Sequence, residues 1–307
     1  TKEDKIYKSN GINYFSFCLE KNNESIIFAY SDSKAIEDWI FKIKKNTNYK
    51  KFSDTYKIIE SIHHSASNSI SVAQNINNKE KVVIKRFNKS TNHKAMKSIK
   101  REIEILQFCN HKNIVKYIDS YEDNDRIYLI QEYMNKGDLQ TLIESTESSS
   151  RVIKDIISQI CKGIDYLHNN FIIHRDIKSM NILVKETKKG YRYKIADFGL
   201  SKFIGKYQYM KTRLGTITYS SPEMIKNDVY NNLTDIWSLG VLIYYCISKR
   251  LPFNGRDDME IANNICKGNI KELNVNYDTM DLIYSCLDRN KSRRAAIEKV
   301  INHNYFK

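Results

Sequence analysis

Two short segments in the middle of the chain bring together side chains that suit phosphoryl transfer. Residues 174–181 read HRDIKSMN, and residues 197–199 read DFG. Transfer of a phosphoryl group needs a carboxylate that orients the attacking hydroxyl and accepts its proton, a cation beside the phosphate, and oxygen or amide ligands for metal ions. The two segments supply these groups in that order: Asp176, Lys178, and the pair Asn181 and Asp197.

Two further motifs place these residues in an ordered set. The run VVIK lies before them at residues 82–85, and SPE follows at residues 221–223. In this order and spacing the four motifs resemble the protein kinase family. The resemblance covers residues 57–306 and implies an α+β, bilobal protein kinase fold, with a β-rich N-lobe and a helical C-lobe. It also implies transfer of the γ-phosphate of ATP to protein substrates, with ATP and Mg²⁺ as cofactors.

The position of one lysine indicates the class of acceptor. Lys178 follows Asp176 by two residues, which is the pattern of serine/threonine kinases, and Gly215–Thr216 before SPE supports the same class. We therefore expect serine or threonine side chains of proteins as substrates.

A second lysine is expected to hold the nucleotide. The resemblance implies that Lys85 pairs with the α- and β-phosphates and with a glutamate of the following helix. Glu102 matches the family pattern in REIEIL, and Glu104 is the competing choice. These two side chains point about 200° apart on a helix, so only one of them can face Lys85.

The resemblance also implies a nucleotide pocket. The adenine ring would lie between Ile70, Val83 and Leu183. The backbones of Glu132 and Met134, in the segment LIQEYM, would bind the edge of the ring, and Asp138 would contact the ribose.

A glycine-rich phosphate loop should precede VVIK, but residues 61–72, SIHHSASNSISV, contain no glycine. His63, Ser65 and Asn68 fall at the three glycine positions. Glycine there lets backbone N–H groups approach the phosphates closely, so side chains at these positions predict weakened ATP affinity. The His63–His64 pair could contact phosphate, although exposed loop histidines are usually solvated.

The segment between Asp197 and SPE resembles a kinase activation segment. Arg175, beside the proposed base, usually signals control by a phosphate in this segment. Thr212 stands where many kinases are phosphorylated, and Lys202 where a second basic ligand often stands. A phosphate on Thr212 could bridge Arg175 and Lys202. The alternative is that Thr212 is an unmodified surface threonine.

The first residues of the chain have a separate pattern. Residues 12–30 contain two runs with alternating apolar residues, typical of paired strands, and residues 31–46 have the apolar spacing of a helix. This strand–strand–helix order resembles the C-terminal end of a pleckstrin-homology (PH) domain; the alternative is an extension packed on the next domain. The chain divides accordingly into three parts: 1–46, a PH-like part; 47–56, a linker; and 57–307, the catalytic domain.

Residues 251–269 indicate a subfamily. LPFNGRDDMEIANNICKGN resembles the calmodulin-kinase group, especially the calcium-dependent protein kinases of plants and apicomplexan parasites. A PH-like element ahead of such a kinase points to the PH-bearing apicomplexan type. No EF-hand loop occurs, so any calcium control lies outside this chain. The chain starts without methionine, which predicts a longer parent protein whose PH domain could bind acidic membrane lipids.

Composition narrows the remaining classes. The formal net charge of +14 favours anionic partners or a lysine-rich solvated surface. No nucleic-acid-binding module is recognisable, so no nucleic-acid partner is expected. The six cysteines are scattered without CxxC spacing, and no run of 18 apolar residues occurs. These features predict a cytoplasmic protein with reduced thiols, peripheral at membranes if its parent binds lipid.

Two functional hypotheses remain open on the sequence. The first is an active serine/threonine kinase, because all polar residues of the catalytic set are present. The second is a pseudokinase or scaffold with a membrane-targeting role through a fuller PH region, because the expected phosphate loop contains no glycine.

Overall fold

The chain divides into two compact units, Thr1–Lys57 and Ile58–Lys307. They are seen in a computed structural model that describes residues 2–3, 7–9, 12–21, 24–32, 34, 39, 52–65, 67–89, 93–204 and 216–307. The predicted linker, 47–56, lies partly outside these residues. Within it, Phe52–Thr55 form a short helix, α1, and Tyr56 begins a strand.

The first unit contains a small antiparallel sheet. Its strands are β1 (Lys2–Glu3), β2 (Tyr7–Ser9), β3 (Ile12–Lys21) and β4 (Glu24–Tyr30), and β3 pairs with the other three. The two strands predicted over residues 12–30 are therefore confirmed as a pair. Of the predicted helix over 31–46, residues 34 and 39 are helical, and most of the others lie outside the described residues. A PH-like domain is not confirmed.

A five-stranded antiparallel sheet begins the predicted catalytic domain. Its strands, in spatial order, are β5 (Tyr56–His64), β6 (Asn68–Asn75), β7 (Lys81–Asn88), β9 (Arg126–Glu132) and β8 (Tyr117–Glu122). The helix α2 (His93–Phe108) connects β7 to β8 along the chain. This sheet confirms the β-rich N-lobe that the resemblance implied.

The register of this sheet decides which side chains share a face. Ile70 lies opposite Lys85, which lies opposite Leu129. The next row along the strands places Ser69 opposite Arg86. Because successive side chains of a strand point to opposite faces, the side chains of Lys85 and Arg86 lie on opposite faces of the sheet.

The remainder is mostly helical, which confirms the C-lobe. Its helices are α3 (Leu139–Ser145), α4 (Ser150–Asn169), α5 (Pro222–Ile225), α6 (Leu233–Ser248), α7 (Asp258–Lys267), α8 (Tyr277–Cys286) and α9 (Ile297–Ile301). Short strands lie between α4 and α5: β10 (Ile172–Ile173), β11 (Ile182–Thr187), β12 (Gly190–Ile195) and β13 (Lys202–Phe203). They pair as β10 with β13 and β11 with β12.

Helix α6 forms the centre of the helical core. It is apolar around most of its circumference, and its residues from Thr234 to Cys246 are all buried. A helix of this kind needs partners on every side. Trp237 stacks on Phe253 with ring centroids 5.6 Å apart, and α4 contributes buried isoleucines at helical spacing. No helix in the described part of the chain is long and apolar enough to cross a bilayer.

Candidate active site

Asp235 in the first turn of α6 holds the segment that carries the proposed base. Its carboxylate is fully buried and accepts the backbone N–H groups of His174 at 3.0 Å and Arg175 at 2.8 Å. The His168 imidazole lies 2.9 Å from the same carboxylate. Burial acts to raise the pKa of Asp235, but the contacts with His168 and His174 together outweigh it, and the pKa lies below its ordinary value. A rigid core helix thus fixes the start of HRDIKSMN.

Asp176 lies in a network of three donors. Asn181 donates its side-chain N–H to Asp176 Oδ2 at 2.8 Å, Lys178 Nζ lies 2.9 Å from the same oxygen, and Thr216 Oγ1 lies 3.4 Å from Oδ1. Lys178 also donates to Thr216 Oγ1 at 2.8 Å. The carboxylate is therefore held in one orientation with a cation beside it.

The two predicted metal ligands lie side by side in the fold. The backbone N–H of Ala196, the residue before Asp197, donates to the Asn181 carbonyl at 2.8 Å. The Asn181 amide N–H is used by Asp176, which leaves its Oδ1 as the side-chain acceptor. No group of three or more His, Cys, Asp or Glu side chains suited to a metal occurs among the described residues. One carboxylate and one amide suit Mg²⁺, which usually takes its other ligands from phosphates and water.

Lys85 connects the sheet to α2 and to DFG. Its Nζ lies 2.9 Å from Glu102 Oε1 and 3.4 Å from Asp197 Oδ1. Burial works to lower the pKa of Lys85, but the carboxylates of Glu102 and Asp197 more than offset it, and the pKa lies above its ordinary value. Burial acts to raise the pKa of Asp197, and the Lys85 charge keeps it below its ordinary value. Glu102 is buried, whereas Glu104 is exposed, so the structure brings Glu102 and not Glu104 to Lys85.

The DFG segment is held from both sides. Phe198 is fully buried and packs edge-on against His174, with ring centroids 4.9 Å apart. The Ser98 hydroxyl of α2 donates to the Gly199 carbonyl. Asp197 has a φ of 63°, a left-handed conformation that is uncommon for aspartate and that is found at functional sites.

Of the three apolar residues predicted to hold adenine, two lie in the sheet on the Lys85 face, Ile70 and Val83. The third, Leu183, lies in β11. Val83 lies opposite Gln131 in the register, Ile70 lies opposite Lys85, and Leu183 forms a bridge with Asp138. The three apolar residues are half-buried, as expected for the walls of a cleft. Asp138 itself caps α3, since it accepts the Thr141 N–H at 2.8 Å. Its ribose contact stays a prediction.

Glu132 ends β9, and Met134 lies two residues further along the chain. The Glu132 carboxylate is engaged by the Lys116 N–H at 2.8 Å and by the ammonium groups of Lys185 and Lys194. The Met134 N–H has no backbone partner within the described residues. Binding of a base by the main chains of Glu132 and Met134 stays a prediction.

The turn between β5 and β6 replaces the expected glycine-rich loop. The Ser65 N–H donates to the Asn68 carbonyl at 2.8 Å, and the Asn68 N–H donates to Ser65 Oγ at 3.1 Å. The Ser65 hydroxyl lies 2.7 Å from Asn68 Oδ1. None of the described residues between 61 and 68 has a positive φ, so the turn needs no glycine there. Two N–H groups near the phosphate position are thereby used within the turn.

The proposed regulatory residues are only partly described. The Arg175 guanidinium donates to the Leu200 carbonyl at 2.6 Å and to the Tyr230 hydroxyl at 3.3 Å. Lys202 lies exposed in β13, opposite Ile173. Thr212 lies outside the described residues, so its relation to the two cations stays a prediction.

Two contacts of the site were not predicted from the sequence. Thr216 touches both Lys178 and Asp176, although its position was used only as a class signal. Ser98 reaches the DFG backbone from α2. Ser98 lies four residues before Glu102 and therefore on the same side of α2, and this spacing was the one feature of the sequence that pointed to its contact.

Comparison with known proteins agrees with this geometry. Residues 56–306 match the model of the protein kinase domain family. The chain is 36% identical over 220 residues to human NUAK family SNF1-like kinase 1, covering 71% of this chain and 33% of that protein. It is 32% identical over 231 residues to the serine/threonine-protein kinase RAD53 of Saccharomyces cerevisiae, covering 69% of this chain and 28% of that protein.

A further relative is matched over most of its own length. The chain is 30% identical over 259 residues to myosin light chain kinase A of Dictyostelium discoideum, covering 82% of this chain and 88% of that protein. By contrast, it spans about a third of the NUAK and RAD53 relatives. On the family match and these relatives together, the chain belongs to the protein kinase family, among its serine/threonine kinases.

Proposed function

We propose that this chain transfers the γ-phosphate of Mg-ATP to serine or threonine side chains of proteins. The observation that carries the proposal is the network around Asp176. Asn181 and Thr216 orient its carboxylate, and the Lys178 ammonium lies beside it. In this arrangement Asp176 orients the substrate hydroxyl and accepts its proton, and Lys178 stabilises negative charge on the phosphoryl group.

The nucleotide-binding residues complete the proposal. Bound Mg²⁺ would supply positive charge that offsets the negative charge of the phosphates. Asn181 and Asp197 would hold the metal, and Lys85, fixed by Glu102, would hold the α- and β-phosphates.

The decisive experiment measures phosphotransfer by this chain to a generic protein acceptor at millimolar Mg-ATP. Asp197→Asn is the control, because the amide keeps the shape of the carboxylate but loses the charge that binds metal. We expect signal from the unmodified chain and none from the variant. No difference between the two would favour the pseudokinase or scaffold alternative.

Glu102 and Glu104 offer a matched pair of substitutions on one helix. Glu102→Gln removes the charge that faces Lys85, and we expect kcat/KM for ATP to fall about 10- to 100-fold, the effect of losing one charged hydrogen bond. Glu104→Gln changes an exposed side chain and should leave kcat/KM within about twofold. Steady-state kinetics on both variants test the assignment. Equal effects of the two would contradict it.

Weak ATP affinity is a further part of the proposal. The Ser65–Asn68 turn uses N–H groups that a glycine-rich loop would offer to the phosphates. Replacing His63, Ser65 and Asn68 together by glycine removes the Ser65 hydroxyl and frees the Asn68 N–H. We expect the KM for ATP to fall about tenfold, the order of one charge-assisted hydrogen bond, with a smaller change in kcat.

Ser67→Gly serves as the control for that variant. Ser67 lies exposed in the same turn but is not at one of the three positions, so its replacement adds flexibility without removing the Ser65–Asn68 bonds. We expect it to leave the KM for ATP unchanged. If the triple variant also left this constant unchanged, the turn would not contact the nucleotide.

Phosphorylation of Thr212 is proposed as an activating switch. The charge of a phosphate there would suit Arg175, which follows β10 by two residues, and Lys202, which lies in the paired strand β13. Thr212→Ala should lower kcat at least about tenfold. The reference is the unsubstituted chain, whose phosphorylation at Thr212 is verified by mass spectrometry. Full activity of the alanine variant would refute the switch.

The finer classification follows from the sequence resemblances. We place the chain in the calmodulin-kinase group, as a calcium-dependent protein kinase of the PH-bearing type, because of residues 251–269 and the strand pair β3–β4. Protein substrates, acidic membrane lipids bound through a fuller PH domain, and a cytoplasmic, membrane-peripheral location belong to the same proposal. Recruitment of the full-length parent to acidic vesicles, compared with this chain alone, tests the lipid part.

A further inference from the structure

A polar pocket opens beside the turn that joins β5 to β6. Its volume is about 160 Å³, roughly ten times what one water requires. Its lining side chains are all polar, and they include Arg86, Arg126, His64, Ser65, Asn68 and Ser69. Two guanidinium groups and several hydroxyl and amide groups around one small space suit an oxyanion.

The two arginines of this pocket lie on the face of the sheet away from Lys85, although the turn that borders the pocket is the one proposed to lie near the ATP phosphates. Arg86 follows Lys85 directly in β7, so its side chain points to the opposite face of the sheet. On that face Ser69 lies opposite Arg86, and Arg86 lies opposite Tyr128. A ligand here therefore does not occupy the position of ATP.

Arg86 is already oriented for binding. Its Nε donates to Ser69 Oγ at 2.9 Å, and Ser69 is buried. This bond uses one of the five N–H donors of the guanidinium and fixes its plane, which lowers the entropy cost of binding an anion. The Ser65–Asn68 bonds hold the opposite wall of the pocket in the same way.

The nearest acidic group does not cancel the charge of the arginines. Asp123 lies close to Arg126 in the turn before β9. Its Oδ1 accepts the N–H groups of Asp125 at 2.9 Å and Arg126 at 2.7 Å, and its Oδ2 accepts the Tyr128 hydroxyl at 2.8 Å. The carboxylate is held by local donors, and its single negative charge is opposed by the two positive charges of Arg86 and Arg126.

We propose that this pocket binds the phosphate monoester of a phosphorylated serine or threonine side chain in a protein. Such a phosphate carries about two negative charges and three acceptor oxygens, which matches two arginine forks with a histidine and hydroxyl groups. The small volume suits one phosphate group. The pocket lies at the end of β5, an edge strand of the described sheet whose residues 57–64 are exposed, and an edge strand can pair with an extended peptide.

The test uses O-phospho-L-serine as the probe, with L-serine and inorganic phosphate for comparison, and detects binding by ³¹P NMR line width or by calorimetry. Arg86→Gln and Arg126→Gln should each weaken binding of O-phospho-L-serine about tenfold or more, the effect of losing a charge-assisted hydrogen bond. Arg256→Gln is the control, since Arg256 lies elsewhere with 93% of its side chain exposed. Binding should persist with a saturating non-hydrolysable ATP analogue, and phosphotransfer by the variants should be unchanged.

Three results would overturn the proposal. One is no binding of O-phospho-L-serine at millimolar concentration, in protein whose melting temperature shows that it is folded. Another is an equal loss in the Arg256→Gln control, which would mean attraction by net charge alone. The third is Arg86-dependent binding to phosphatidylcholine vesicles with phosphatidylinositol 4-phosphate but not to O-phospho-L-serine, which would assign the pocket to a lipid headgroup. Should Arg86→Gln fail to fold, Arg86→Lys, which keeps the charge but loses the fork, is expected to weaken binding to a smaller degree.

Discussion

Asp176→Asn is expected to lower kcat for phosphotransfer by about 10²- to 10⁴-fold, the usual contribution of a positioned general base. The amide cannot accept the proton of the substrate hydroxyl, but it has the same shape as the carboxylate. One of its atoms can still accept the hydrogen bond that Asn181 now donates at 2.8 Å. The KM for ATP should therefore change little, and the loss should appear in kcat under saturating substrate.

A matched substitution separates this effect from a general loss of charge. Asp258 is exposed in the first turn of α7, far along the chain from the catalytic segment, so Asp258→Asn makes the same chemical change outside the site. It should leave kcat within about twofold of the unmodified chain. A kcat for Asp176→Asn that also stays within this range would show that Asp176 is not the base.

Much of the proposed site could be predicted because its parts are local in sequence. Asp176, Lys178 and Asn181 lie within six residues, and their network forms inside one short loop and the turn that follows it. Strand alternation likewise predicts that Ile70 and Val83 share the Lys85 face. The choice of Glu102 over Glu104 followed from a motif, and the helix then leaves only one of the two buried.

Contacts between distant segments were not predictable in the same way. Thr216 reaches Lys178 across 38 residues, and Ser98 reaches Gly199 across 101. Such pairs depend on how whole elements pack, and no local pattern of residue types encodes them. The pocket lined by Arg86 and Arg126 has the same origin, because four strands and a turn must assemble before its side chains meet.

The turn between β5 and β6 shows a different limit of prediction from sequence. Three side chains at glycine positions predicted steric obstruction of the phosphates. In the structure, Ser65 and Asn68 bond each other and use backbone N–H groups inside the turn. Residue types indicated the loss of glycine, but the side-chain hydrogen bonds that replace it depend on the turn geometry.

Arg294→Met is expected to cause the largest loss of stability among single substitutions outside the site. Arg294 NH1 and NH2 bond the two oxygens of Glu223 at 2.6 and 2.9 Å, and the side chains are 0% and 8% exposed. The guanidinium also donates to the Leu233 carbonyl at 2.9 Å and lies over the Trp237 ring. Removing one partner leaves the other as an unpaired buried charge, which costs about 3–5 kcal/mol. The apparent melting temperature should fall by about 6–20 °C.

Two further variants and a pH series identify the cause of that loss. Arg293→Met removes a neighbouring arginine whose side chain is 73% exposed, so it should cost less than about 1 kcal/mol. Glu223→Met combined with Arg294→Met removes both charges and should recover part of the stability. Burial acts to raise the pKa of Glu223, but the bonds from Arg294 hold it below its ordinary value. The stabilising effect of the pair is therefore complete above the ordinary glutamate pKa of about 4.3 and declines as the pH falls below it. If the gap in melting temperature between the unmodified chain and Glu223→Gln stayed constant down to acid pH, the charge of Glu223 would not be what stabilises this contact.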